Sequence, residues 1–227
     1  MLKAMKQKLI ILGTSGNAYD VLDIVEAINI REPTWNVVGF LDDGRSAGTH
    51  YLGMSILGGL GDAPRFADCR FINAIGSDSS YRRRGEILDS TNLPIDRFTT
   101  LIHPLASVSP RAQIGRGVYV NFGASIGGGV TIGDQVAIGP GCIIGHDCRI
   151  DDLAIVAPGA VISGFVHIGR NCYIGAGAAI RQRIAIGEQS LVGMGAVVIR
   201  DVPMQTTVVG NPARPLTDSQ TSKSPAL

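Results

Sequence analysis

The chain has 227 residues, enough for one large domain or two small ones with a real hydrophobic core. Twenty Lys and Arg against 19 Asp and Glu leave a formal charge of +1, which excludes a whole-molecule field that would pull it onto nucleic acid or a membrane. Small-molecule partners are expected instead, and thirty glycines with 5% aromatics point to tight, repeated turns rather than a bulky core.

In chain order, Lys3, Lys6 and Lys8 precede an apolar run, Leu9 to Leu12, that is too short for a signal-peptide core or a membrane span. A cytoplasmic protein is expected. The run reads as a buried strand, followed by the turn Gly13-Thr14-Ser15-Gly16 and an amphipathic helix from Ala18 to Ile28. A second strand spans Asn36 to Leu41 and ends in Asp42-Asp43; a third spans Arg70 to Ile75 and ends in Gly76-Ser77 before another helical stretch. Alternating elements predict a small parallel α/β domain over residues 1–100.

In such a sheet a ligand sits beyond the carboxyl ends of the strands, where Ser15, Gly16, Asp42, Asp43 and Gly76 all fall. A glycine turn leading into a helix offers free N–H groups to a phosphate, and a carboxylate after the second strand can accept from a ribose or sugar. A nucleotide-linked ligand would use both. Gly13-x-x-Gly16 is not the full dinucleotide fingerprint, so a nicotinamide dehydrogenase is not indicated, and ordinary turn residues would give the same pattern.

From Ile102, every sixth residue through Val198 is Ile or Val, seventeen in succession. Two residues before them stand mostly small residues, among them Ala106, Ala124, Cys142, Cys148, Ala160 and Cys172. The residue after them is often Gly, as at Gly115, Gly145, Gly175 and Gly193, which suggests a corner that needs backbone freedom. A period of six would smear apolar residues around an α-helix, whereas three hexads per coil build a triangular β-helix with stacked Ile and Val inside. The pattern does not give its hand. A β-helix is predicted over residues 101–216, and the tail 217–227, rich in Ser, Thr and Pro, is expected to be disordered. The cysteines, including Cys69, form no C-x-x-C pair and no zinc spacing with His, so they are expected to be small buried residues without a disulfide or metal role.

A general base near neutral pH is most readily a histidine, and four are available. His50 falls in a predicted loop of the first domain, and His103 precedes Pro104 where the repeats begin. His146 follows a corner glycine, so its ring can project into a cleft between neighbouring subunits, and Asp147 follows it. His167 lies at an outward position with no expected catalytic role. Twenty-one residues separate His146 from His167, which does not stack on an 18-residue coil, so a shared metal is not expected.

The hexads, with the closing Val209-Gly210-Asn211-Pro212-Ala213, resemble the left-handed β-helix hexapeptide-repeat transferases. Joined to the small α/β domain, they resemble the sialic acid and bacillosamine type sugar O- or N-acetyltransferases over nearly the whole chain. The resemblance implies a Rossmann-like domain followed by a left-handed parallel β-helix. It implies His146 as general base with Asp147 orienting it, and contacts of Ser15, Gly16, Asn17, Asp42, Asp43 and Gly76 with a nucleotide-linked sugar. It also implies acetyl-CoA held at Ile155, Gly175, Ala176, Gly193 and Met194, without a metal. The family commonly has His where this chain has Asn17 and, in some members, where it has Ile155, and usually Glu where it has Asp147.

The expected activity is N-acetylation of a nucleotide-linked amino-deoxysugar by a homotrimer whose sites lie between subunits. O-acetylation of a sugar of the sialic acid type uses the same fold, base and donor. A non-catalytic nucleotide-sugar sensor or scaffold would bind the sugar without acetyl transfer.

Overall fold

The computed structural model describes residues 6–216, so the expectation for the tail lies outside the described residues. The first part is a five-stranded sheet. Its strands are β1 (Gln7–Leu12), β2 (Trp35–Leu41), β3 (His50–Tyr51), β4 (Met54–Gly58) and β5 (Arg70–Asn73). They run in the order β3-β4-β2-β1-β5, all parallel except the β3–β4 hairpin. In β1, Leu9 to Leu12 are wholly buried because Leu9 and Ile11 face one apolar cluster and Ile10 and Leu12 the other. An unbroken aliphatic run is what a central parallel strand covered on both faces requires.

Helix α1 (Asn17–Arg31) follows the glycine turn and buries Ala18, Val21, Ile24 and Val25, a stripe at helical spacing. Helix α2 (Arg84–Asp89) comes after β5. The third strand is shorter than its apolar run suggests: pairing stops at Asn73, whose Oδ1 turns back to accept the Ile75 N–H and diverts the chain. His50 opens β3 rather than lying in a loop.

From Leu101 onward the chain forms two-residue strands arranged in three walls of eight, six and five strands. Each strand pairs in parallel with the one a full coil later, as Ser125 with Ile143 and Ile143 with Val161. Inside, Ile126, Ile144, Ile162 and Ile180 stack in one column, and the small residues Ala124, Cys142, Ala160 and Ala178 fill the next. Each fully buried aliphatic of this kind contributes roughly 1.5–3 kcal/mol. All four cysteines are buried free thiols. The last parallel strand, Thr207–Val209, is closed by an antiparallel pair with Arg214–Pro215, which ends the coil.

The corner glycines work differently from the expectation. Gly115, Gly145 and Gly175 are not left-handed; the left-handed residue is the third after each aliphatic, as Gly129, Asp147, Phe165 and Arg183. The glycine directly after the aliphatic is needed for room. A Cβ on Gly145 would lie 2.7 Å from the Gly164 nitrogen, and one on Gly175 would lie 2.5 Å from the Met194 nitrogen.

The eight-stranded wall is covered by the α/β part. Its outward residues Leu101, Tyr119, Ala137 and Ile155 are buried in one cluster with Leu9, Val21 and Ile24, while Tyr173 and Leu191 pack against its rim. Arg84 pins this seam. Its side chain is fully buried, with Nε donating to the Ile75 carbonyl at 3.0 Å and Nη1 to the Leu153 carbonyl at 2.7 Å. No carboxylate pairs with it among the described residues, and burial lowers its pKa to about 10.

Candidate active site

Two regions gather most of the residues that the sequence singles out. The first lies at the carboxyl ends of β1, β2 and β5, where a cavity of about 290 Å³ is lined by Gly13, Thr14, Ser15, Asp42, Asp43 and Gly76 among others. Gly13 has φ +90°, and a Cβ there would strike Ile75 at 2.4 Å, so the turn closes only with glycine. Among the described residues nothing accepts from the Ser15 and Gly16 amides, which leaves them for an anion at the start of α1.

Asp42 is already engaged. Its Oδ2 accepts from the Thr14 amide at 2.8 Å and the Thr14 hydroxyl at 2.6 Å, and its Oδ1 from the Gly44 amide, so it ties two turns together. Asp43 Oδ1 accepts from the Leu60 amide. Arg45, which the sequence reading missed, reaches the rim: its Nε donates to the Thr14 hydroxyl at 2.8 Å while its guanidinium lies over Tyr51.

Asn17 faces away from this cavity into a smaller cleft of about 60 Å³ between the sheet domain and the covered wall, with Asp20, Gly76, Tyr119, Ile155 and Tyr173. Its Nδ2 donates to the Gly76 carbonyl at 2.8 Å. Gly76 lines both cavity and cleft, and a Cβ there would meet Ile155 at 2.6 Å. Burial raises the Asp20 carboxyl and pushes the Tyr119 phenol up to about 12, so Tyr119 stays a neutral hydroxyl at working pH.

The second region is the corner between the six- and five-stranded walls. His146 stands there with its side chain 63% exposed, Nδ1 lying 2.8 Å from Asp147 Oδ2. Asp147 is left-handed with φ +57°, a conformation Asp tolerates, and this folds its carboxylate back beside the ring. One coil later, Gly164 lies against the ring, where a Cβ would come within 2.8 Å of Nε2, and Phe165 meets the imidazole edge-to-face at 5.0 Å.

Ala176 and Met194 are exposed at the corner between the eight- and six-stranded walls, beside Gly175 and Gly193. That is the opposite edge of the six-stranded wall from His146, so one chain does not bring these residues and His146 together. Ile155 is separate again: 7% exposed, it faces the α/β domain.

A family profile described as the PglD N-terminal domain matches residues 8–86, and one described as bacterial transferase hexapeptide (six repeats) matches 129–164. No curated protein matches in sequence. Among solved structures, the acetyltransferase domain of PglB from Neisseria gonorrhoeae FA1090 is 31% identical, with a TM-score of 0.79 over 93% of this chain and 100% of that one. PerB from Caulobacter crescentus, solved with CoA and GDP-perosamine, is 28% identical, with a TM-score of 0.80 over 92% and 97%. WeeI from Acinetobacter baumannii AYE is 28% identical, with a TM-score of 0.73 over 92% and 99%. The chain belongs to the hexapeptide-repeat sugar acetyltransferases. It is an acyltransferase, with a PglD-type N-terminal domain and a left-handed parallel β-helix.

In this acetyltransferase the other histidines are occupied elsewhere. His103 accepts from the Leu105 amide through Nδ1, and His167 pairs through Nε2 with Asp151, which also accepts from Arg149. His50 opens the β3–β4 hairpin, paired with Ser55, and does not line the cavity of the first region. No described helix is long and apolar enough to cross a membrane.

The packing of Gly164 under the ring gives a direct expectation for the acetyltransferase. Gly164→Ala must push the imidazole off Asp147, so kcat is expected to fall about tenfold or more with little change in melting temperature. Steady-state kinetics beside thermal unfolding check this, and an unchanged kcat would show that the ring position is not critical.

Proposed function

We propose that the protein transfers the acetyl group of acetyl-CoA to the amino group of a nucleotide-linked amino-deoxysugar, with His146 as general base. The carrying observation is the His146–Asp147 pair. With Nδ1–H donating to the Asp147 carboxylate, the Nε2 lone pair is free on an exposed corner. The amine nitrogen attacks the thioester carbonyl while Nε2 takes its proton, backbone N–H groups hold the oxyanion, and the C–S bond then breaks to release CoA. Asp147 orients the ring through this hydrogen bond.

The nucleotide-linked sugar occupies the cavity of Ser15, Gly16, Asp42, Asp43 and Gly76, with its phosphates on the free amides at the start of α1 and its sugar extending past Gly76 toward Asn17. Asp42 shapes the cavity, and Asp43 is the carboxylate better placed to receive a ribose. The relative PerB was solved with CoA and GDP-perosamine together, which supports a donor and acceptor of these classes.

The active unit is a homotrimer. Ile143 and Val161 expose apolar side chains on the six-stranded wall beside His146, a surface suited to a second copy. That copy would bring its Ala176 and Met194 edge, which holds the pantetheine arm along Gly175 and Gly193, opposite His146. The assay is release of CoA thiol from acetyl-CoA against a panel of nucleotide-linked amino sugars and their hydroxyl counterparts. Turnover with amino sugars supports the proposal; turnover with hydroxyl acceptors alone overturns it in favour of O-acetylation, and tight sugar-nucleotide binding without turnover overturns it in favour of a sensor.

A further inference from the structure

A third cavity, of about 250 Å³, opens on the other side of α2 from the cavity at the ends of β1, β2 and β5. Ile87 of this helix lines the first cavity, while Gly85, Leu88 and Asp89 line the third, so one short helix divides them. The facing wall is the corner between the five- and eight-stranded walls, which presents Asp134, Gln135, Asp152 and Arg170. That corner lies across the prism from the six-stranded wall, so it is not part of the trimer contact proposed above.

The charges in this cavity do not balance. Three carboxylates, Asp89, Asp134 and Asp152, stand against one guanidinium, Arg170, which pairs with Asp152 at 3.2 Å. Asp134 accepts the Arg116 amide through Oδ1 at 2.7 Å, but neither it nor Asp89 pairs with a cation among the described residues. Leu88, Leu93, Ile95 and Phe98 supply an apolar wall beside them. Carboxylates at the edge of an apolar surface attract a cation that has an apolar body.

Gln135 adds an observation independent of charge. It is 4% exposed and lines the same cavity, and neither its Nε2 nor its Oε1 has a hydrogen-bond partner among the described residues. Its backbone is left-handed, with φ +60°, and its amide lies over Gly117, where a Cβ would strike it. A buried amide with donor and acceptor both unmade is costly and calls for a partner. A second carboxamide supplies the matching acceptor and donor together.

We propose that this cavity binds a small primary ammonium ion that carries a carboxamide and an apolar side chain, the chemistry of an aminoacyl amide. The ammonium meets Asp89 and Asp134, the carboxamide pairs with Gln135, and the side chain lies against Leu88, Leu93, Ile95 and Phe98. A free amino acid is disfavoured, because its carboxylate would face the same aspartates. The site is separate from His146 and does not rest on the acetyl-transfer reading.

The test is equilibrium binding to the full chain of leucinamide, of leucine, of isocaproamide, which lacks the ammonium, and of isopentylamine, which lacks the carboxamide. Leucinamide is expected to bind saturably at one site per chain, with leucine and isocaproamide roughly tenfold weaker or more. Asp89→Asn and Asp134→Asn, the latter keeping an oxygen for the Arg116 amide, are each expected to weaken leucinamide roughly tenfold with the melting temperature unchanged. Gln135→Leu is expected to weaken leucinamide and leave isopentylamine as it was. No saturable leucinamide binding, equal affinity for leucine and leucinamide, or wild-type binding in both Asn variants would overturn the assignment. Loss of leucinamide binding in His146→Ala, or its displacement by saturating CoA, UDP or GDP, would overturn it too, by placing the amine in the acetyl-transfer site.

Discussion

His146→Ala is expected to lower kcat/KM by about 10²–10⁴, the range supplied by one positioned general base. The fold is expected to be unchanged, because the side chain is mostly exposed and its partner Asp147 can be hydrated in its absence. The loss is expected mainly in kcat, since a general base at Nε2 would act on a proton that moves only in the transition state. Single-turnover rates and a melting curve on the same preparation separate chemistry from stability. Full activity in the variant would remove the proposed base. A raised KM with intact kcat would turn His146 into a binding group.

Arg84→Ala is expected to be the most destabilising substitution at the seam, by roughly 2–5 kcal/mol, because it leaves a large void and strips the Ile75 and Leu153 carbonyls of their donor. Arg84→Lys keeps a charge but cannot reach both carbonyls from one planar group, so it is expected to fall between. The same contact holds the Ile75-Gly76 turn against the β-helix, so nucleotide-sugar affinity is expected to drop with stability. Urea unfolding followed by separate probes of the two parts checks this. A loss under 1 kcal/mol, or unfolding that remains a single unaltered transition, would show that the apolar seam alone joins them.

The β-helix was legible because its determinants are local and repeated: each Ile or Val at the sixth position meets its own kind a coil later. The sheet domain was legible for the same reason at β1, whose aliphatic run leaves no other place for it. The β3–β4 hairpin was not, because Thr49 to Gly58 shows no clean alternation. The covered wall did carry a readable sign. Its outward positions, Leu101, Tyr119, Ala137, Ile155, Tyr173 and Leu191, are all apolar or aromatic, whereas the five-stranded wall shows Gln113, Thr131, Arg149 and His167. Sorting the hexads by threes would have revealed it.

In the candidate site, the pairing of His146 with Asp147 follows from adjacency and a corner. The roles of Gly164 and Phe165 do not, since they depend on stacking across a coil. Arg84 and Tyr119 were invisible as seam residues because an arginine in a helix and a tyrosine in a strand look like surface and core in any fold. Asp42 lies where a ligand-binding carboxylate belongs, yet the Thr14 and Gly44 amides claim it, and only the fold shows that.

The strict pairing of each residue with the one a coil away makes the β-helix a ruler graduated in whole rungs. Position along the chain sets depth and position within the hexad sets direction, so the two vary independently. Gaining or losing one complete coil between His146 and Arg183 would change their separation by one rung of about 4.8 Å, while every side chain still pointed the same way. A lineage built on this scaffold can therefore lengthen or shorten the distance between two corner residues by duplication alone, without turning either side chain to a new face.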